Sequence, residues 1–290
     1  MIISRITSGL GNQLFQYAVG RHLSLKNKTP LYADLSYYLH QYSDDTSRSF
    51  KLGNFSAPYR ILQESPVEYM SKATKLLPNR SLKPFFLFLK EKQFHFDEQV
   101  LRSHAGCLIL EGFWQSEAYF KGSADIIRRD LQLSTTPSPE FDQYLQQIRA
   151  TPAPVSIHVR RGDYVNHPEF SKTFGFIGLD YYKKAIRHIT KEIKNPHFFV
   201  FSDDKEWVRE NLPLPGDSTF VQNTGPTGDV ADLVLMSHCK HHIIANSSFS
   251  WWGAWLNPNP DKLVITPSNW YKDKPDWDTK DLLPATWLSL

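Results

Sequence analysis

Val155-Ser156-Ile157-His158-Val159-Arg160-Arg161-Gly162-Asp163 is the stretch that decides the fold. Its opening residues, Val155 to Val159, are mostly apolar or β-branched, as in a strand buried within a sheet. A histidine, two arginines and an aspartate stand where that strand emerges. In open α/β sheets, ligands bind outside the carboxyl ends of the strands. The guanidinium group is permanently charged and presents a fixed fork of donors that matches phosphate oxygens. The stretch therefore predicts a strand carrying a site for a phosphate-bearing ligand. If the strand alternates, His158 and Arg160 share one face and Arg161 takes the other. One arginine then reaches the ligand while the other pairs internally, with Asp163 as a candidate partner. The alternative reading for each arginine is a carboxylate brace that holds the loop.

Downstream, strands and helices alternate. Strands are predicted at 197–201, 220–222, 241–245 and 263–266, and helices at 180–194, 205–211, 229–237 and 249–256. Upstream, Ile2 to Ile6 reads as a strand, 7–12 as a glycine-containing turn, 13–26 as an amphipathic helix and Leu31 to Ala33 as a second strand, which opens a β-α-β unit. Residues 35–60 read as a polar, Tyr-rich excursion. Residues 61–93 read as helix interrupted at Pro66, Pro78 and Pro84, 107–113 as strand, 116–131 as helix, and Glu140 to Arg149 as a further helix-like segment. Strand–helix alternation implies parallel sheets covered by helices on both faces. Proline-rich breaks at 134–139 and 151–154 mark a boundary between two Rossmann-like domains, 1–150 and 151–290, with a cleft between them. The last helix is expected to pack back on the first domain.

The bulk properties narrow the class of ligand. A 290-residue chain with 41% hydrophobic residues can bury two cores, and 33 basic against 30 acidic residues leave a net charge of only +3. That balance does not call for nucleic acid, so phosphate binding has to come from local placement. Cys107 and Cys239 show no CxxC or Cys/His metal spacing and read as free thiols. No metal cluster is predicted, because His241 and His242 are adjacent and would point to opposite faces of a strand. The first strand starts too early to be a secretory leader, and no apolar run is long enough to span a membrane, so a cytoplasmic protein is expected.

Three further constellations carry polar chemistry. Gly9-Leu10-Gly11-Asn12-Gln13 lies between a strand and a helix, where Gly11 allows close backbone approach and the helix start offers free N–H groups. A tight turn capped by Asn12 is the equal alternative. It is not a dinucleotide fingerprint, since Leu14 stands at the third glycine position. Ser202-Asp203-Asp204 ends a strand, so Asp203 or Asp204 either accepts hydrogen bonds from a nucleoside or caps the next helix. Asn246, Ser247 and Ser248 precede Phe249-Ser250-Trp251-Trp252-Gly253, where a helix N-terminus can cradle phosphate, with the tryptophans as scaffold behind it.

Taken together, Gly9 to Ala18, Gly112-Phe113-Trp114-Gln115-Ser116, His158 to Asp163 and Ser247 to Trp255 resemble, in order and over nearly the whole chain, the α-1,2-fucosyltransferases of glycosyltransferase family 11. The resemblance implies a GT-B fold, with the N-terminal domain facing the acceptor and the C-terminal domain holding the donor. It implies inverting transfer of L-fucose from GDP-β-L-fucose to the 2-hydroxyl of a galactose-terminated oligosaccharide, without a metal or other cofactor. Free oligosaccharides, lipopolysaccharide side chains and membrane-linked glycan intermediates all end in suitable galactose. By the same resemblance, Arg160 contacts the departing diphosphate and His158 the GDP, while Ser247 and Ser248 hold phosphate. Asp203 or Asp204 lies near the nucleoside, and Asn12 lines the site.

This chemistry is physically coherent. Charge builds on the diphosphate as the glycosidic bond breaks, and fixed positive groups aimed at that charge lower the barrier. The acceptor proton has several destinations open: Asp163, Glu169, or the leaving phosphate itself, with Asn12 orienting the acceptor. Three rival readings remain: fucose transfer to a peptide or core glycan, a nucleotide-dependent oxidoreductase with Asp34 as its acidic residue, and a sugar-binding module without catalysis.

Overall fold

The computed structural model describes residues 1–39, 48–62, 85–272 and 277–290. The chain forms two compact units: Met1–Ser134 with Asp278–Pro284, and Thr135–Trp277 with Ala285–Leu290. In the first, β1 (Ile2–Arg5), β2 (Leu31–Asp34), β3 (Arg60–Leu62), β4 (Phe86–Lys90) and β5 (Cys107–Glu111) form a sheet in the order β3-β2-β1-β5-β4, and every pairing is parallel. Helix α1 (Leu10–Lys26) connects β1 to β2, and α2 (Ala124–Asp130) follows β5. Leu14, Phe15, Ala18, Val19 and Leu23 of α1 are buried. So are Gln13 and Gln16, whose side chains bind backbone instead of water.

The second unit carries α3 (Phe141–Ala150), β6 (Pro154–Val159), α4 (Leu179–Glu192), β7 (His197–Ser202), α5 (Lys205–Asn211), β8 (Ser218–Phe220), α6 (Gly228–His238), β9 (His241–Ile243), α7 (Ser248–Leu256), β10 (Val264–Thr266) and β11 (Leu288–Ser289). Its six strands run β11-β10-β9-β6-β7-β8, again all parallel. Every residue of β6 is buried. Val155, Ile157 and Val159 pack with Tyr182, Ala185 and Ile189 of α4 and Val208 of α5. Trp251, Trp252 and Trp255 of α7 form an aromatic cluster joined by Trp287, so these tryptophans serve as scaffold.

Several segments differ from the sequence reading. Residues 86–90 are strand, not helix: Phe-Leu-Phe-Leu is too short an apolar run for periodicity to assign, and pairing with β5 decides it. Of the predicted helix over 61–93, residues 63–84 lie outside the described residues. The helix expected over 116–131 is two 3₁₀ turns, Glu117–Tyr119 and Lys121–Ser123, followed by α2. The polar loop after β6 contains the short helices Gly162–Asn166 and Pro168–Thr173. Division into units falls after Ser134, upstream of 150, with α3 in the second unit, where its residues Tyr144 and Gln147 bond Gln222 and Thr219. The segment that returns to the first unit, Asp278–Pro284, is not helical.

Both cysteines are free. His241 and His242 bind separate partners: His242 sits buried between the Ser156 hydroxyl and the Asn257 amide, and His241 accepts from the Leu263 N–H. Among the described residues no helix is long and apolar enough to cross a membrane.

Trp251 is fully buried among three other tryptophans. Trp251→Ala is therefore expected to destabilise the second unit by about 3–5 kcal/mol. Urea unfolding followed by circular dichroism measures this, and a loss below about 1 kcal/mol would show that the cluster repacks.

Candidate functional site

In the second sheet, β6 is the first strand, β7 and β8 extend to one side, and β9, β10 and β11 to the other. The crevice above the carboxyl ends of β6 and β9 is thus the topological switch point, where open α/β sheets bind ligands. His158 and Arg160 lie at the end of β6. Asn246, Ser247 and Ser248 lie after β9, at the start of α7. The two motifs meet physically, because the His158 and Phe249 rings stand 5.4 Å apart.

A single carboxylate organises the β6 end. Asp203, just past β7, accepts the backbone N–H groups of Arg161 (2.9 Å) and Gly162 (3.0 Å) and pairs with the Arg160 guanidinium at 3.1 Å. A Cβ at position 162 would lie 2.8 Å from the Asp203 Oδ2 atom, so a side chain there would push this carboxylate from its place. Arg160 also lies 5.7 Å from the centre of the Tyr164 ring. Arg161 pairs with Asp204 and stacks over Trp207 at 4.3 Å. Asp204 caps α5 through the Trp207 N–H. Both arginines are therefore braced by carboxylates, in place of one braced and one free. The two aspartates serve the backbone and the arginines, which makes the capping reading correct for Asp204. The side chains of Asp163 and Glu169 lie outside the described residues.

His158 is enclosed by protein, with its ring Nδ1 buried and unpartnered. Burial drives its pKa down to about 3; nearby Asp203 opposes that and Arg160 adds to it. The imidazole is consequently neutral at physiological pH, and one ring nitrogen is left to be satisfied by something other than the chain.

Ser247 caps α7 by accepting from the Phe249 N–H, and Ser248 is half-buried in the first helical turn. Asn246 plays another part than that expected. Its amide donates to the carbonyls of Phe174 and Trp270, both at 3.1 Å, so it clamps two loops together. Its carbonyl accepts the Tyr164 hydroxyl, and its side-chain Oδ1 is buried without a partner.

The first unit has a matching switch point above β1 and β5. Gly9, not Asn12, is the residue that caps α1, and Gly11 lies buried in the first turn. Asn12 Oδ1 accepts from Gln115 Nε2 at 2.8 Å, joining the glycine turn to the Gly112–Ser116 segment. Gln16 bonds Thr7 and the Gly112 carbonyl. Asp34 is fully buried and accepts the Ser36 N–H, which withdraws it from any ribose hydroxyl. Sequence reasoning missed a crevice of about 450 Å³ here, lined in part by Arg5, Glu91 and Glu111. The available signal was that β1, β4 and β5 each end on a charged residue: Arg5, Lys90 and Glu111. Among the described residues, no group of three or more His, Cys, Asp and Glu side chains could hold a metal ion.

Comparison with known proteins points to one family. The profile of glycosyl transferase family 11 matches residues 1–289. The chain is 34% identical to an alpha-1,2-colitosyltransferase of Escherichia coli, over 100% of this chain and 99% of that one. It is 32% identical to the O-antigen biosynthesis glycosyltransferase WbnK of Escherichia coli, over 99% of each. Human galactoside alpha-(1,2)-fucosyltransferase 1 matches at 31% identity over 51% of this chain and 43% of that protein. Among solved structures, the fucosyltransferase NodZ from Bradyrhizobium superposes with a TM-score of 0.54 at 17% identity, covering 89% of this chain and 92% of that one. Arabidopsis thaliana FUT1 in complex with GDP gives 0.51 at 12% identity, covering 95% and 72%. These structural likenesses are of fold, and they place the chain in the GT-B class.

The buried imidazole makes stability depend on pH. An unfolded histidine titrates near 6.5 and His158 in the folded chain near 3, so the unfolded state binds the extra proton between those values. Its contribution is full above pH 6.5 and is lost as pH falls toward 3. Burial lowers His242 in the same direction. His158→Gln is expected to flatten the pH dependence of unfolding free energy between pH 6.5 and 4 by about 1.4 kcal/mol per pH unit. Urea titrations across that range measure the slope, and one unchanged from the parent would contradict the assignment.

Proposed function

The chain belongs to glycosyltransferase family 11, and from that membership we propose that it transfers L-fucose from GDP-β-L-fucose to the 2-hydroxyl of a terminal galactoside, with inversion and without a required metal. One observation carries the reading: Arg160, His158 and the α7 N-terminus converge at the β6/β9 switch point. Two of these relatives, the Escherichia coli colitosyltransferase and the human fucosyltransferase, are named as α-1,2-transferases, which supports the 2-linkage.

In this reading the diphosphate lies against Arg160 and the free N–H groups at the start of α7, near Ser247 and Ser248. Negative charge that develops on it as the sugar leaves is met by a fixed guanidinium and a helix dipole, which do not have to reorganise. Asp203 keeps that guanidinium in place while retaining its two backbone donors. Neutral His158 offers its unpartnered ring nitrogen to the nucleotide, where protonation would cost the desolvation of a buried charge.

Identity over the whole chain to an α-1,2-colitosyltransferase favours one second reading, in which the donor sugar is colitose. The two donors are separated by offering each GDP-sugar with lactose in EDTA and mapping the product. A 2-linked fucose supports the first reading, and turnover confined to the colitose donor supports the second. Product only on adding a divalent metal would overturn metal independence. Arg160→Ala is expected to lower transfer by about 10²–10³-fold while leaving the melting temperature within a few degrees of the parent. Retention of more than a tenth of parental turnover would show that Arg160 does not stabilise the leaving diphosphate.

A further inference from the structure

The crevice in the first unit is not used by the donor chemistry above. It opens over the carboxyl ends of β1 and β5, where that unit's strand order reverses. Its volume of about 450 Å³ falls within the range of small-molecule sites, roughly 300–1,000 Å³.

Two features show that its walls are held in a costly shape. Ser8, which lines the crevice, and Trp114, next in sequence to the lining residue Phe113, both have positive φ, 64° and 57°, although neither is glycine. Backbone strain of this kind persists only where the surroundings over-determine it, and it clusters at functional sites. At Trp114, Glu91 supplies that determination. Its carboxylate accepts the N–H groups of Phe113 at 2.7 Å and Trp114 at 3.0 Å. Position 112 has to be glycine, because a Cβ would meet the Glu91 Cβ at 2.4 Å. Burial raises the pKa of the Glu91 carboxyl, and the two N–H bonds oppose that rise.

The lining selects a class of ligand. Arg5 and Lys90 both pair with Glu111, at 3.5 and 3.0 Å, so an anion gains little unbalanced positive charge and faces the Glu91 carboxylate. Arg5, Lys90 and Lys92 against Glu91 and Glu111 make the crevice unattractive to a cation. A neutral polyhydroxylated ring suits it, since its hydroxyls can both donate and accept. Its C–H face can lie on Phe94, Phe113 or Tyr37, all of which line the crevice. Each Glu91 oxygen has one lone pair committed to the Phe113–Trp114 turn and another available.

We propose that this crevice is a binding site for a neutral hexopyranoside and that Glu91 is its specificity-determining residue, accepting a hydrogen bond from one ring hydroxyl. The inference rests on the function proposed above, in which the ring is the galactose of the acceptor.

The test is a cycle of Glu91→Gln against deoxygenated acceptors. Initial rates are measured with methyl β-galactoside and its 3-, 4- and 6-deoxy analogues at saturating GDP-fucose, and GDP affinity is measured separately. Glu91→Gln is expected to raise the acceptor KM about tenfold or more with GDP affinity unchanged within about twofold. Removing one of the three hydroxyls is expected to cost the parent about as much, and to cost Glu91→Gln almost nothing. If Glu91 only props the turn, the variant weakens all four acceptors alike, and the inference is overturned. Should Glu91→Gln fail to fold, Phe94→Ala carries the test: a raised acceptor KM with GDP affinity intact supports the site, and an unchanged KM overturns it. Failure of the parent to use any galactoside with either donor overturns the functional reading, and this inference falls with it. Turnover of galactosides by the parent without coupling to Glu91 overturns this inference alone.

Discussion

The Asp203 carboxylate holds the strand-end crevice of the second unit together. It is anchored just beyond β7, yet its bonds go to the chain leaving β6: the N–H groups of Arg161 and Gly162 and the guanidinium of Arg160. Those two N–H groups would otherwise lack partners, because the chain has left the ladder and the first N–H groups of a helix have no partner within it. A residue at the end of the neighbouring strand thus fixes where the Arg160 guanidinium stands. Ser202 adds a second tie between the same strand ends, donating to the Val159 carbonyl and accepting from the Asp204 N–H. The arginines are held by charge-assisted bonds, and stacking of Arg161 on Trp207 removes more of their freedom. Such pre-organisation lets fixed charge stabilise a leaving diphosphate without reorganising during the reaction.

The two units solve a similar problem by different means. Each is a parallel sheet whose strand order reverses beside its first strand, so each has a crevice at that point. In the second unit the crevice is bordered by arginines, a helix start and a dehydrated histidine, all suited to negative charge. In the first, strand-end charges are paired with one another and side-chain amides take over the backbone bonding. Gln13 alone bonds the Ser8 and Ser49 carbonyls and the Lys51 and Leu52 N–H groups. Neutral amides can satisfy buried loops without the desolvation cost of ions.

Much of this organisation was legible in the order of residue types. Apolar runs followed by polar strand ends pointed to the parallel α/β class, and the resemblance carried by four motifs pointed to the family. Helices α3 to α7 were placed within a few residues, and 3.6-residue periodicity is plain in α4. Reading failed where local pattern is ambiguous. Phe86 to Leu89 became strand only through pairing with β5. The return of 278–284 to the first unit is fixed by contacts such as the Phe96 N–H with Asp281, which no local signal announces. Glu91 was passed over because an isolated glutamate beside lysines looks like a solvated surface residue.

By itself, then, the sequence determined the alternation of elements, the chemical types gathered at the strand ends, and membership of a glycosyltransferase family. Those properties depend on short-range pattern and on the identity of residues. Tertiary structure alone decided the partners. Arg161 went to Asp204, Asn246 became a clamp between loops, and Glu91 came to brace a strained turn far along the chain. The physical reason is that a buried polar group must find its complement within about 3 Å. Which group stands there is set by how strands from distant parts of the chain are laid side by side.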